Sequence, residues 1–203
     1  SINSIPVAST FTPAKGKAAG VERAEPVKLY DNYASFAAGN YTSILGELYT
    51  NLKVNNTDTF NAYFTHHSSQ GGIKDVYLDD KFYDTDLNLG YSSKDRDYAY
   101  GIRAGFKHQN YNWYGSRDPL TDQERMEIDA SHTFMTASLG GSFSMEDSFF
   151  KNAELDFRRF WDDYDSGENR FFLAPTFEVP VSDLQITLKG IVDYVGGKFA
   201  ANN

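Results

Sequence analysis

The feature that most constrains this chain is an alternation of apolar and polar residues with a period of two, which recurs from about Tyr33 onward. The segment 98–108, YAYGIRAGFKH, places mainly aromatic and aliphatic residues at even positions, with Arg103 and Lys107 at odd positions. Successive side chains of a β-strand point to opposite faces of the sheet. The alternation therefore predicts strands that have one apolar face and one polar face.

Nine such segments follow one another, and the residues between them indicate how they are connected. Compact turn signals, such as residues 55–58 and 92–95, alternate with connections predicted to be longer at 67–80, 110–123 and 162–169. Hairpins with short turns at one end and long loops at the other are typical of a transmembrane β-barrel. Residues from about Arg125 to Ser144 are interpreted as one strand, with a change of apolar parity that suggests a bulge or an overlong strand that protrudes past the sheet.

Composition narrows the class of protein. The 203 residues carry a net charge of -9, so nucleic acid is not an expected partner, because phosphate binding needs a basic surface. The absence of Cys excludes disulfides and thiolate metal sites. No apolar run approaches the roughly 20 residues of a membrane helix, whereas a membrane strand needs only about 9 to 11 alternating residues.

Two all-β architectures fit the alternation. A soluble β-sandwich, for example one that binds carbohydrate, also buries one face of each strand. Its loops need not alternate in length, and Tyr and Phe near the strand ends fit a membrane interface better. The pattern favours an antiparallel up-and-down transmembrane β-barrel, with residues 1–28 as an extended lead-in and residues 29–203 as barrel strands.

The sequences of several predicted hairpins resemble those of outer-membrane β-barrel proteins of Bacteroidetes-type bacteria that are described as TonB-dependent-receptor-like. The similar segments are NYASFAAGNYTS, HHSSQGGIKD, YNWYG and YVGGKFAANN, and the resemblance covers most of the chain from about Leu29. It implies a location in the bacterial outer membrane, contact with outer-membrane lipid, and other envelope proteins as partners. Family members are longer, and bacterial single-chain barrels normally have an even strand number. Nine segments therefore suggest the N-terminal part of a larger barrel.

The function that the resemblance implies is solute transport across the outer membrane, or a role as a component of an assembly there. The alternative is a non-transporting barrel scaffold that binds partner proteins through its loops or rim. Catalysis is not expected. Ser131 and His132 are neighbours on one predicted strand, where they are badly placed for proton transfer to each other.

If the apolar parity faces lipid, the opposite parity lines the barrel interior. An Arg on the lipid face near the bilayer midplane costs about 2 to 4 kcal/mol, which orients Arg103 inward. Charges in the interior either pair with one another or select solutes, and the sequence leaves both readings open. The predicted interior residues are Glu47, Asp86, Arg103, Lys107, Glu127, Asp129, Glu154, Asp156, Arg158 and Lys189.

Two connections carry further candidate sites. Tyr111, Trp113, Tyr114 and Arg117 combine aromatic and polar groups that suit the binding of sugars or proteins in an outer loop, or anchoring at the interface. A second group places hard oxygen ligands at a spacing compatible with Ca²⁺, although an acidic surface loop is the simpler explanation. This group comprises Asp162, Asp163, Asp165 and Glu168. No other cofactor is expected.

Overall fold

The computed structural model describes residues 30–116 and 119–200, which form one antiparallel sheet of ten strands in up-and-down order. This confirms the predicted all-β class and strand order. Within the described residues the two edge strands do not pair with each other, so the sheet is open. The strands are β1 (Asn32–Gly39), β2 (Ser43–Lys53), β3 (Asp58–Ser69), β4 (Phe82–Lys94), β5 (Tyr98–Asn112), β6 (Ser131–Met145), β7 (Phe150–Asp162), β8 (Gly167–Val181), β9 (Leu184–Lys189) and β10 (Val192–Lys198).

The last two strands, β9 and β10, occupy the same position in the sheet and lie end to end along one side of β8. Both pair with β8 in a continuous register, in which Thr176 lies opposite Lys189 and Leu173 lies opposite Val192. Pro175, which has no N–H to donate, lies at the interruption, where the Gly190 N–H donates to its carbonyl at 3.0 Å. Counted by register, the sheet therefore has nine strand positions, as many as the alternating segments in the sequence.

The prediction of a strand from Arg125 is wrong. Residues Asp122–Glu127 form a short helix, α1, and β6 begins at Ser131. The Thr121 side chain accepts the Glu124 N–H, while the Glu124 carboxylate accepts the Thr121 N–H at 2.8 Å, which is a capping box. The change of apolar parity marks this helix rather than a bulge. No helix in the described part of the chain is long and apolar enough to cross a membrane.

The connections differ in length between the two ends of the sheet. At the end we call the long-loop end, residues 70–81 join β3 to β4, and residues 113–130, including α1, join β5 to β6. The β7–β8 connection at the same end is only residues 163–166, so the prediction of a long loop there is wrong. At the opposite end, the short-turn end, residues 54–57, 95–97 and 146–149 make compact turns.

The strand register gathers the apolar side chains on one side of the sheet, which we call the apolar face. Its central row crosses the sheet from β2 to β10, and two further rows continue toward the long-loop end. The first row is Leu52, Phe60, Tyr91, Ile102, Gly141, Leu155, Leu173 and Val192. The second is Thr50, Ala62, Leu89, Ala104, Leu139, Phe157, Phe171 and Tyr194, and the third is Leu48, Phe64, Leu87, Phe106, Ala137, Arg159 and Asn169.

No second layer of protein covers the apolar face in the described part of the chain, where strands contact their hydrogen-bonded neighbours. The side chain of Ile102, in the middle of the sheet, is 51% exposed, and Ala174 is the one hydrophobic residue among those described that is buried. The described residues thus form a single sheet and not the two stacked sheets of a β-sandwich.

Candidate functional site on the charged face of the sheet

The side of the sheet opposite the apolar face carries most of the predicted interior residues, and we call it the charged face. Registers across β2 to β9 place eight of them on this side: Glu47, Asp86, Arg103, Lys107, Glu154, Asp156, Arg158 and Lys189. Two others are not there, because Glu127 lies in α1 and Asp129 lies in the connection that follows. Their assignment to a strand is corrected by the capping box at Thr121.

An ion pair between Arg103 and Asp156 spans the centre of the charged face. Arg103 Nη2 lies 3.2 Å from Asp156 Oδ1, although β6 runs between their strands. The residue of β6 that stands in register with both is Gly140. A Cβ there would lie 2.5 Å from Asp156 Oδ1 and 3.1 Å from Arg103 Nη2. The absence of a side chain at this position therefore allows the two charges to meet.

Asp84 organises a second polar cluster nearer the long-loop end. Its Oδ2 accepts hydrogen bonds from the Gln109 amide at 2.9 Å and from the Tyr111 hydroxyl at 3.1 Å. Lys107 Nζ lies 3.9 Å from the same oxygen. One carboxylate thus holds three side chains of β5. Asp84 and Gln109 were not among the sequence candidates, although their strand parity indicates this face.

A third cluster joins β7, β8 and β10. Arg170 binds Asp193 through two parallel hydrogen bonds, with Nε to Oδ1 at 2.9 Å and Nη2 to Oδ2 at 2.6 Å. Arg158 stands directly opposite Arg170 on the neighbouring strand. Like charges in that relationship destabilise a sheet unless they are compensated, and Asp193 supplies compensation for one of them. A cavity of about 410 Å³ is lined by Arg158 and Arg170 together with Thr136 and Ser138.

The aromatic candidates of the β5–β6 connection divide between strand and loop. Tyr111 lies within β5, Trp113 and Tyr114 follow its end, and Arg117 lies outside the described residues. The Trp113 ring lies 4.0 Å from the ring of His132, which is only 5% exposed. The hydroxyl of Tyr164 hydrogen-bonds the same imidazole. This ring cluster ties the β5–β6 connection to the β7–β8 turn.

The predicted calcium ligands are engaged in a hydrogen-bonded turn. Asp162 Oδ1 accepts the N–H groups of Tyr164 and Ser166, both at 2.9 Å, and Asp163 Oδ2 accepts the Thr133 N–H at 2.9 Å. Asp165 lies in the turn with φ 60°, and Glu168 belongs to β8. In residues 30–116 and 119–200 no three acidic or histidine side chains gather in a way that could hold a metal ion. In the described structure the four carboxylates are therefore not gathered around one point.

The β3–β4 connection is shaped by a carboxylate cradle. Asp80 accepts the Ile73 N–H at 2.7 Å and the Gly72 N–H at 3.0 Å, which lowers the pKa of the Asp80 carboxyl below its ordinary 3.8 because both bonds favour the charged form. Gly71 and Gly72 adopt φ values of 101° and 130°, a region that side chains disfavour. The GG pair in HHSSQGGIKD is thus required by this loop.

Comparisons of the chain with protein-family models, with curated proteins and with solved structures find no match.

Proposed function

We propose that this sheet is part of the wall of an outer-membrane β-barrel, with the apolar face toward lipid and the charged face toward an aqueous interior. The observation that carries the proposal is the continuous exposed apolar face on a sheet that has no second layer in the described residues. Soluble monomers rarely expose contiguous apolar patches larger than a few hundred Å². Hydrocarbon chains are the solvent that such a face requires.

The height of the apolar face fits this proposal. On β5 its apolar positions run from Tyr98 to Phe106, eight residues along the strand. At about 3.4 Å per residue, this distance is about 27 Å. A strand tilt of about 40° reduces it to about 21 Å along the membrane normal, close to the apolar band of about 25 Å in outer-membrane barrels. Ile102 then lies near the bilayer midplane.

The open edges of the sheet bear on how the barrel closes. The β1 and β10 edges are unpaired among the described strands, and membrane-exposed strand edges are not tolerated in hydrocarbon. Nine strand positions are an odd number, whereas bacterial single-chain barrels have an even one. We infer that further strands complete a larger barrel, in agreement with the resemblance of the hairpins to TonB-dependent-receptor-like proteins.

Solute transport across the bacterial outer membrane, or membership of an assembly with other envelope proteins, is the function we infer for such a barrel. The charged face offers an aqueous interior with both signs of charge. Pairs such as Arg103 with Asp156 restrain part of that charge, while Arg158 forms no ion pair among the described residues. A wall with paired and unpaired charges can select solutes by their charge.

Two measurements test this function in sequence. The full-length protein, extracted in detergent, is expected to migrate differently in gels before and after heating, as a closed barrel does; solubility without detergent would contradict the membrane assignment. Conductance across planar bilayers then separates a transporting pore from a scaffold. Channel openings support transport, whereas an inserted barrel without conductance that co-purifies with defined envelope proteins supports the assembly role.

A further inference from the structure

Arg159 is the one charged residue in the three rows of the apolar face described above. It stands in register with Ala137 and Asn169, and its neighbours along β7 on the same face are Phe157 and Trp161. It forms no ion pair with any residue that the structure describes. Its guanidinium carbon instead lies 5.8 Å from the centre of the Trp161 ring. Because this cation is exposed and unpaired on an apolar face, we expect the molecule that covers the face to supply an anionic group that pairs with it.

Lys198 brings a second cation to the same place. It lies opposite Gly167 at the end of β10, one row closer than Arg159 to the long-loop end. Like Arg159, it has no ion-pair partner within the described residues. Together the two cations line a cavity of about 540 Å³ with Trp161, Asn169 and Tyr194. The site thus combines cations, neutral donors and aromatic rings.

The backbone leaves room for this arrangement at Gly196. A Cβ there would lie 2.7 Å from the Tyr194 hydroxyl, so the tyrosine ring lies across the strand beside the cavity. Asp162 and Asp165 also line the cavity, and they moderate its positive charge. Asp162, however, already accepts two backbone N–H groups in the β7–β8 turn.

The position of the cations along the membrane normal agrees with a headgroup partner. Arg159 occupies the last apolar row, because the next rows toward the long-loop end contain polar residues such as His66, Thr85 and His108. An Arg on the lipid face is costly at the bilayer midplane but is tolerated near the interface. Phosphate is the anionic group found at that depth, and the planar Arg fork matches its oxygens.

We propose that Arg159 and Lys198 bind the phosphate of an anionic membrane-lipid headgroup, in which no choline cation neutralises the phosphate, at the long-loop end of the apolar face. The inference rests on the proposed function, because it requires lipid to cover this face. The Asn169 amide and the Tyr194 hydroxyl supply additional donors, and Trp161 packs at the boundary between acyl chains and headgroups. The occupant is a lipid because the cavity borders the three apolar rows of this face.

Fluorescence quenching of Trp161 tests the proposal. These 203 residues contain two tryptophans, Trp113 and Trp161. Replacing every tryptophan of the full-length protein except Trp161 by Phe, Trp113 included, leaves Trp161 as the reporter. The full-length protein is refolded into phosphatidylcholine vesicles that contain increasing fractions of brominated phosphatidic acid or of brominated phosphatidylcholine. Because two cations face the headgroup and nearby carboxylates moderate their charge, we expect about a tenfold preference for phosphatidic acid. The double substitution Arg159→Gln, Lys198→Gln should make the two quenching curves coincide.

Control variants and a free-anion arm separate the outcomes. Arg96→Gln removes one positive charge in the β4–β5 turn at the short-turn end and should leave the preference intact. Equal quenching of the unsubstituted site by both brominated lipids would overturn the headgroup site while leaving the lipid-facing assignment standing. Absence of quenching by either lipid would overturn the proposed function as well. A preference abolished by millimolar inorganic phosphate, at constant ionic strength, would show a free-anion site and overturn the lipid assignment.

Discussion

The guanidinium group of Arg103 on β5 meets the carboxylate of Asp156 on β7 at 3.2 Å because the residue between them on β6 is Gly140. The pair therefore connects two strands that do not hydrogen-bond to each other. The two side chains bridge over the intervening backbone of β6, so this contact braces β5 against β7 on the charged face.

Gly140→Ala should loosen this brace. The new Cβ would lie within contact distance of both charged groups and force them apart. The side chains of Arg103 and Asp156 are 57% and 47% exposed, so the expected loss in the free energy of unfolding is at most about 1 kcal/mol. Urea unfolding of the full-length protein in vesicles measures it. Gly46→Ala is the matched control, since a Cβ there meets nothing within 4 Å, and equal effects of both substitutions would contradict the prediction.

Substitutions to Arg along β5 should show a dependence on depth. Ile102→Arg places a charge near the proposed midplane and should cost about 2 to 4 kcal/mol, whereas Phe106→Arg, beside the polar rows, should cost about 0 to 1 kcal/mol. Arg103→Ala, on the opposite face, should leave membrane insertion unchanged. Folding yield in vesicles, read by gel mobility before and after heating, checks the order. Equal yields for the Ile102 and Phe106 variants would sink the assignment of the apolar face to lipid.

Acidification should release the β3–β4 connection. The pKa of Asp80 is lowered in the folded protein, so its stabilising contribution is complete above the ordinary pKa of 3.8 and is lost as the pH falls below 3.8 through the lowered value. The Ile73 amide shift in NMR spectra of the detergent-solubilised protein should follow this titration. Asp80→Asn should make the Ile73 amide shift independent of pH over this range. Asp75→Asn, in the same loop, should leave the pH-dependent change of that shift intact. A titration midpoint above 3.8 would contradict the described cradle.

Tyr164→Phe should weaken the ring cluster at the long-loop end. The substitution keeps the aromatic ring but removes the hydroxyl that hydrogen-bonds His132, which leaves a buried imidazole with one partner fewer. Loss of a buried hydrogen-bond partner costs about 1 to 3 kcal/mol. Thermal unfolding measures the change, and Tyr114→Phe in the neighbouring loop serves as the control. A Tyr164 variant as stable as the Tyr114 variant would show that the bond contributes nothing.

Much of the sheet could be predicted from strand parity, because an alternation with a period of two indicates a strand and also assigns each residue to one of its two faces. The same rule failed at Met126, Ile128 and Ala130, which alternate like a strand although Asp122–Glu127 are helical. There the capping signature Thr121–Glu124 was the better signal, since it reflects hydrogen bonds of the backbone. Pro175 marked an interruption of the ladder that parity could not show.

The candidate site was less predictable, because its contacts depend on the register between strands that are distant in sequence. Arg103 and Asp156 are 53 residues apart, and no local pattern pairs them. Arg158 and Arg159 illustrate the opposite case. They are neighbours in sequence but belong to different faces, and strict use of parity would have set Arg159 apart as a cation among apolar residues.

The open edge of β1 has a practical consequence for anyone who isolates these strands. The N–H and C=O groups on the outer side of β1 form a template with which additional strands can pair. The segment Asn32–Gly39 contains neither Pro nor a charged residue that would hinder this pairing. In water, a fragment limited to this sheet would recruit copies of itself and grow into filaments. Recombinant work on the strands alone would then yield fibrous precipitate instead of monomers.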